Sequence, residues 1–71
     1  MKAEDFEGCV AKYMKKRHIT TKEQLRAHTT VGSSTTFRKY FKEPDLIPIG
    51  VFNQIMTTLK VPSEERYELL K

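Results

Sequence analysis

Residues 21–42 read TKEQLRAHTTVGSSTTFRKYFK, and this stretch contains two short helical patterns separated by a turn. A Ser/Thr-x-x-Glu/Gln capping box marks the start of the first pattern, because its two side chains satisfy backbone N–H groups that a helix start leaves free. The pairs that fit this box are Thr20 with Glu23 and Thr21 with Gln24. We therefore predict a short helix over about residues 22–28.

The turn and a second helix follow directly. The β-branched residues at 29–31 continue a helix poorly, and Gly32 breaks it. Either Ser33 or Ser34 can cap the second helix, which the spacing predicts over about residues 33–42. The apolar stripe of this helix, at i, i+3 and i+4, consists of Phe37, Tyr40 and Phe41.

Helical periodicity also dominates the residues that precede this stretch. A first helix is predicted over about residues 4–17, with acids at its start and basic residues at its end, an order that suits the helix dipole. Its apolar face consists of Phe6, Cys9, Val10, Tyr13 and Met14. At the other end, Pro44 stops the helix at 33–42, because the residue before a proline is pushed out of helical backbone space.

Two further helices are predicted after Pro44. Pro48 fits the first turn of the fourth helix, where its missing N–H costs nothing. The apolar face of that helix consists of Ile49, Phe52, Ile55, Met56 and Leu59. Glu64 and Glu65 open the last helix, which carries Tyr67 and Leu70. Since no segment alternates with period two, we predict an all-α fold, a compact four- to five-helix bundle.

The 71 residues are expected to form a single domain, residues 1–71. The lone cysteine, Cys9, allows no internal disulfide, and its place on the apolar face favours a core thiol. No apolar run is long enough to span a membrane, and the acids at residues 4, 5 and 7 are untypical of a secretory signal. We therefore expect a cytoplasmic protein without a membrane partner.

The net charge of +4 is unevenly distributed. Residues 12–42 carry nine Lys and Arg and one acid, a net charge of +8, whereas residues 1–11 and residues 43–71 each sum to −2. This asymmetry predicts one positive face and a polyanionic partner.

Two short helices joined by a glycine-containing turn, with basic residues on the second, are typical of helix-turn-helix proteins. A helix fits the major groove of duplex DNA, and small polar residues at its start let the backbone approach the base edges. With Phe37 and Tyr40 directed into the core, the exposed side of the second helix is predicted to carry Ser34, Thr35, Arg38, Lys39 and Lys42. Of these, Arg38 and Lys39 are the expected donors to guanine or to phosphate.

Residues 19–61 resemble the Cro/repressor-type helix-turn-helix domain of phages and mobile elements. The segments that carry the resemblance are residues 21–25, 31–33, 36–40, 43–45, 52–55 and 59–61. The resemblance implies a lambda-repressor-like fold with a recognition helix at about residues 33–42. The base-facing candidates that it implies are Ser33, Ser34, Thr35 and Lys39.

The same resemblance implies phosphate contacts at the starts of the second and fourth helices, near Thr21, Gln24 and Gly50. It also implies a homodimer on a two-fold symmetric DNA site. Arg26 and Thr30 stand where the family usually has Ala and Gly. We therefore expect a turn that is longer by about one residue.

No set of residues for catalysis is found in the chain. There is no Ser/His/Asp or Cys/His arrangement and no glycine-rich phosphate loop, so we expect no enzyme, no cofactor and no small-molecule substrate. His18 and His28, taken with Cys9, lack the close paired spacing of a zinc site.

The favoured function is sequence-specific binding of double-stranded DNA by a transcriptional regulator of the repressor type. The alternative is a helical protein-interaction module, such as an antirepressor or a host-factor inhibitor, on the same scaffold. RNA binding is a weaker hypothesis, because the chain lacks the aromatic-bearing sheet of common RNA readers. For Tyr67, Leu69 and Leu70, closure of the bundle and a dimer contact are both open interpretations.

Overall fold

A computed structural model describes all 71 residues and contains five α-helices, one short 3-10 helix and no strands. The α-helices are α1 (Ala3–Lys16), α2 (Lys22–Arg26), α3 (Ser34–Lys42), α4 (Ile49–Leu59) and α5 (Ser63–Leu70). They pack into a body of 28 × 26 × 20 Å. The all-α helical bundle is therefore confirmed. None of the five helices has the length and apolar character needed to cross a bilayer.

The core holds buried side chains from all five helices. Phe41 of α3 packs into it, with its ring centroid 5.1 Å from that of Phe6 in α1 and 5.4 Å from that of Phe37 in its own helix. The ring of Phe52 in α4 lies 6.4 Å from that of Phe6. Aromatic pairs at these distances attract beyond their buried area. This cluster fixes the orientation of α3 against α1 and α4.

The helix starts in the central stretch follow the predicted caps. Thr21 Oγ1 accepts a 3.2 Å hydrogen bond from the backbone N–H of Gln24, and Gln24 Oε1 accepts one of 2.8 Å from the N–H of Thr20. Of the two candidate pairs, Thr21 with Gln24 therefore forms the cap. Ser33, not Ser34, caps α3, because its Oγ accepts from the N–H of Thr36 at 3.3 Å.

The predicted end of the second helix at residue 28 is wrong by two residues. After Arg26 the backbone hydrogen bonds become shorter in sequence range. The N–H of His28 donates to the carbonyl of Leu25 at 3.0 Å, and the N–H of Thr29 donates to the carbonyl of Arg26 at 2.9 Å. These are i→i+3 bonds, which close a last turn of the 3-10 type. The connection to α3 consequently spans residues 27–33.

The start of α4 also corrects the sequence prediction. Pro48 is not in the first turn but precedes the helix as its N-cap residue. Ile49, predicted on the apolar face, is exposed, whereas Val51 is buried. Ile49 occupies the first position of α4, where the helix projects past the edge of the core. Between α3 and α4, residues Pro44–Leu46 form the 3-10 helix.

The last helix contributes a single buried residue, Leu69. Tyr67 and Leu70, predicted as its apolar residues, are both exposed. Leu69 is therefore the one side chain of α5 that is buried in the core, and the other two side chains lie on the surface. Cys9, expected as a core thiol, is half-buried against the core, and this burial raises the pKa of its thiol.

Candidate nucleic-acid interface

Helix α3 has one buried and one exposed face. Phe37 and Phe41 enter the core. On the opposite side, four exposed residues lie at i, i+3, i+4 and i+7 and line a common open depression of about 450 Å³. These four residues are Thr35, Arg38, Lys39 and Lys42, and we refer to them as the α3 stripe. All four were among the predicted site residues.

The cationic side chains of the α3 stripe are not paired with acids. The ion pairs of the structure involve other cations, so Arg38, Lys39 and Lys42 form no salt bridge. Arg38 is nevertheless close enough to Glu23 for its charge to help lower the pKa of that carboxyl. An unpaired guanidinium or ammonium group keeps all of its N–H donors available. The α3 stripe is therefore a row of free donors on a rigid helix.

Three other cations of residues 12–42 form ion pairs with acids. Lys12 Nζ lies 3.3 Å from Glu65, Lys22 Nζ lies 3.0 Å from Glu7, and Arg26 Nη2 lies 2.8 Å from Glu23; the distances are to carboxylate oxygens. Residues 12–42 therefore do not form the single positive face that their composition predicted. Their unpaired charge is divided between the α3 stripe and the end of α1.

The basic residues at the end of α1 lie at a different place from the stripe. Arg17 Nε donates a 3.0 Å hydrogen bond to the carbonyl of Leu59, at the last residue of α4. By contrast, the end of α3 lies near the start of α1, where Phe41 meets Phe6. The two ends of α1 are separated by roughly 15–20 Å at 1.5 Å per residue. Arg17 is therefore not part of the α3 stripe.

Ser34 faces the neighbouring helix. It is half-buried. Arg26 is the main cause that lowers the pKa of Glu23, and the hydroxyl of Ser34 and the charge of Arg38 lower it further. Arg26 in turn donates from Nη1 to the carbonyl of Val31 at 2.9 Å. These contacts connect α2, the turn and the first residue of α3. Of the four base-facing candidates, Ser34 is thus the one engaged across the two helices.

The other predicted residues are distributed around α3. Ser33 and Thr21 are exposed and use their oxygens as helix caps, and Gln24 holds the N–H of Thr20. Gly50 is exposed in the first turn of α4, where no side chain restricts approach to the backbone. It lines a second depression together with His28, Asn53, Gln54, Thr57 and Thr58. Gly50 and the α3 stripe therefore belong to separate surface depressions.

One contact near the candidate interface was not predicted. Gln54 Oε1 accepts hydrogen bonds from the backbone N–H of Thr30 at 3.0 Å and from its hydroxyl at 3.3 Å. This amide fastens the turn before α3 onto α4. The sequence shows only a glutamine beside the apolar residues of α4, and periodicity alone assigns it to the solvent side.

Comparisons with protein-family models, curated proteins and solved structures found no match to this chain. The resemblance of residues 19–61 to repressor-type domains remains a prediction from the sequence. Function must therefore be inferred from the geometry and charge of the α3 stripe and its surroundings.

Proposed function

We propose that this protein is a sequence-specific, double-stranded DNA-binding transcriptional regulator of the Cro/repressor type, acting in the cytoplasm as a homodimer. The observation that carries the proposal is the α3 stripe. Thr35, Arg38, Lys39 and Lys42 form one exposed row with free donors, while Phe37 and Phe41 anchor the opposite face.

The dimensions and chemistry of α3 suit the major groove. Its nine residues give a rod roughly 13 Å long, and the groove of B-form DNA admits a helix. Arginine and lysine donate to the O6 and N7 acceptors of guanine, and the hydroxyl of Thr35 can both donate and accept. A short side chain such as Thr35 near the start of α3 allows the backbone to come close to the bases.

Phosphate neutralisation supplies much of the affinity in this proposal. Each cation that replaces condensed counterions makes binding more sensitive to salt. Lys42, at the end of the α3 stripe, is suited to a phosphate, because the outermost residues of a groove-bound helix approach the backbone of the DNA. The exposed backbone at Gly50 in α4, an eleven-residue helix, is a second candidate for a phosphate contact.

The proposal is tested by selecting binding sites from randomised duplex DNA. The enriched duplex is then titrated with the protein at two salt concentrations. We expect one enriched sequence with two-fold symmetry, bound more tightly than unrelated duplex and more weakly at the higher salt. Failure to enrich any sequence, together with no binding at low salt, would refute a DNA-binding function.

A protein-interaction module is the second candidate function, and a groove beside α1 favours it. The groove measures about 600 Å³, and Val10, Met14 and Ile19 contribute apolar lining. Its charged lining includes Lys15 and the ion pair between Lys22 and Glu7. An acidic amphipathic segment of another protein would match this chemistry. Binding to such a peptide, combined with no binding to DNA at low salt, would favour this function over the first.

A further inference from the structure

The guanidinium of Arg26 in α2 joins that helix to the turn that leads into α3. Its Nε donates to the two carboxylate oxygens of Glu23 at 3.2 Å and 3.0 Å, and its Nη2 donates to Glu23 Oε2 at 2.8 Å. Its Nη1 donates to the backbone carbonyl of Val31 at 2.9 Å. The side chain is 25% exposed. All three nitrogens of Arg26 therefore bond within the protein, which distinguishes it from the cations of the α3 stripe.

Val31, which receives the bond from Arg26, is held in three ways. Its side chain is buried in the core, its carbonyl accepts from Arg26, and its N–H donates to the hydroxyl of Thr29 at 3.2 Å. That hydroxyl donates in turn to the carbonyl of Arg26 at 2.8 Å. Val31 lies two residues before Ser33, the cap of α3. The path of the chain into α3 is therefore fixed at Val31.

Helix α2 depends on contacts of this kind because it has only five residues, too few to hold helical geometry alone. Leu25 is its one buried residue. Hydrogen bonds from a charged donor are about twice as strong as those between neutral groups. The other side chain that fastens the turn, Gln54, is a neutral acceptor for the N–H of the exposed Thr30. Arg26 therefore provides the stronger polar attachment of the turn.

The placement of α3 affects reading of bases more than attraction to phosphate. Hydrogen bonds to base edges require a defined distance and angle, and a helix carries any shift of its start along to Arg38 and Lys39. Attraction to phosphate depends mainly on the number of charges and carries no sequence information. Loosening the start of α3 should therefore reduce discrimination between DNA sequences before it reduces affinity for DNA in general.

We propose that Arg26 is a positioning residue that sets the sequence discrimination of α3, through its bonds to Glu23 and Val31 and without contact to DNA. The inference rests on the proposed function, because discrimination between sequences has a meaning only for a protein that binds duplex DNA. It assigns part of the specificity to a residue outside the α3 stripe. The bonds themselves belong to the free protein and are also measured without DNA.

The test measures, by fluorescence anisotropy, the dissociation constants of the duplex selected from randomised DNA and of an unrelated duplex of equal length. Arg26→Lys keeps the positive charge, but one ammonium group does not reproduce the planar fork that spans the carboxylate and the carbonyl. We expect the preference of this variant for the selected duplex to fall about tenfold or more. Its affinity for the unrelated duplex and its slope of log K against log salt should match those of the parent, because the charge is retained.

Arg66→Lys is the matched control. Arg66 also donates to a backbone carbonyl, from Nε to Val61 at 2.8 Å, but it does so in the connection between α4 and α5. The same substitution there should leave the preference for the selected duplex unchanged. Thr29→Val is a second variant, because it removes the hydroxyl that holds the N–H of Val31 and leaves the net charge as it is. It should lower the preference in the same direction as Arg26→Lys, also where the latter fails to fold.

A second measurement follows the free protein by amide hydrogen exchange. The amide of Val31 should exchange faster in Arg26→Lys than in the parent and in Arg66→Lys. An unchanged preference for the selected duplex in the folded Arg26→Lys protein would overturn the inference. So would an equal loss of affinity for both duplexes, which is the result that a merely structural role of Arg26 predicts. A parent that binds the two duplexes alike, or neither of them, would instead refute the proposed function, and the inference with it.

Discussion

The hydroxyl of Tyr13 donates a 2.7 Å hydrogen bond to Oε1 of Glu65, which joins α1 to the first turn of α5. Lys12 Nζ lies 3.3 Å from the same oxygen. The bond from Tyr13 is the main cause that lowers the pKa of Glu65 below its ordinary 4.5, and the same bond raises the pKa of Tyr13 to about 12. Since Leu69 is the one buried residue of α5, this polar link is a large part of what holds that helix.

We expect acid to destabilise the fold through Glu65. A carboxylate whose pKa is lowered by folding contributes stability that is fully present above its unfolded pKa, near 4.5 here. That contribution is lost as the pH falls through the lower folded pKa. Glu65→Gln removes the charge and keeps the shape, so its melting temperature should fall less than that of the parent between neutral pH and about pH 3. Thermal unfolding followed by circular dichroism measures this.

Glu68→Gln is the control for that experiment. Glu68 lies in the same helix and pairs with the neighbouring Lys71 instead of with α1. This control should keep the acid sensitivity of the parent. Equal pH dependence of the parent and the Glu65→Gln protein would contradict the assignment.

The cap of α3 can be separated from any role of Ser33 in binding DNA. Ser33→Ala removes the acceptor of the Thr36 N–H and should lower the free energy of unfolding by about 1 kcal/mol. Ser33→Asp retains a capping oxygen, so it should unfold like the parent in urea. Its negative charge at the start of α3 should nevertheless weaken DNA binding. Thr35→Ala is the control for stability, and a cost equal to that of Ser33→Ala would argue against the cap.

The elements that were predicted well are specified by residues that lie close together in the sequence. The apolar spacing of α1 and the caps at Thr21 and Ser33 are local signals, and the starts of these helices fall within one residue of the prediction. The α3 stripe was predicted for the same reason, since its residues lie opposite Phe37 on one helix. A choice such as Ser33 over Ser34 could not be made, because both serines satisfy the same local pattern.

What the sequence did not reveal depends on contacts between elements. Periodicity identifies the face of a helix but not where the core ends, so Ile49 was assigned to the interior although it lies past the edge. The pairing of Lys22 with Glu7 and the bond from Thr30 to Gln54 join residues far apart in the chain. Because such ion pairs neutralise part of the positive charge of residues 12–42, the single positive face predicted there was an overestimate.

Arg38 is expected to read a base. Arg38→Ala should weaken binding to the selected duplex by about 1–3 kcal/mol and relax the preference at one base pair. Lys71→Ala, which removes one positive charge at the far end of the chain, serves as the control and should bind nearly as the parent does. Competition with duplexes mutated at each position measures both effects. If Arg38→Ala retains the parent's affinity and preference, α3 does not present this residue to the bases.

Lys42 is expected to contact phosphate. Lys42→Gln should weaken binding to all duplexes alike and reduce the slope of log K against log salt by about 1. Lys12→Gln makes the same change of charge at a lysine already paired with Glu65, so its slope should match that of the parent. A salt series of DNA titrations provides the slopes. An unchanged slope for Lys42→Gln, or an equal reduction for both variants, would remove Lys42 from the interface.

Gln54 is expected to hold the turn that precedes α3. Gln54→Ala deletes the acceptor of the Thr30 N–H, but Thr30 is exposed and its N–H can bond to water, so the free energy of unfolding should fall by less than about 1 kcal/mol. Amide exchange around residue 30 should accelerate, and DNA binding should weaken because the start of α3 is less well fixed. Asn53→Ala, an exposed neighbour, should change neither property. Gln54→Glu retains an acceptor and should restore slow exchange; fast exchange in Gln54→Glu would show that the Thr30 contact does not order the turn.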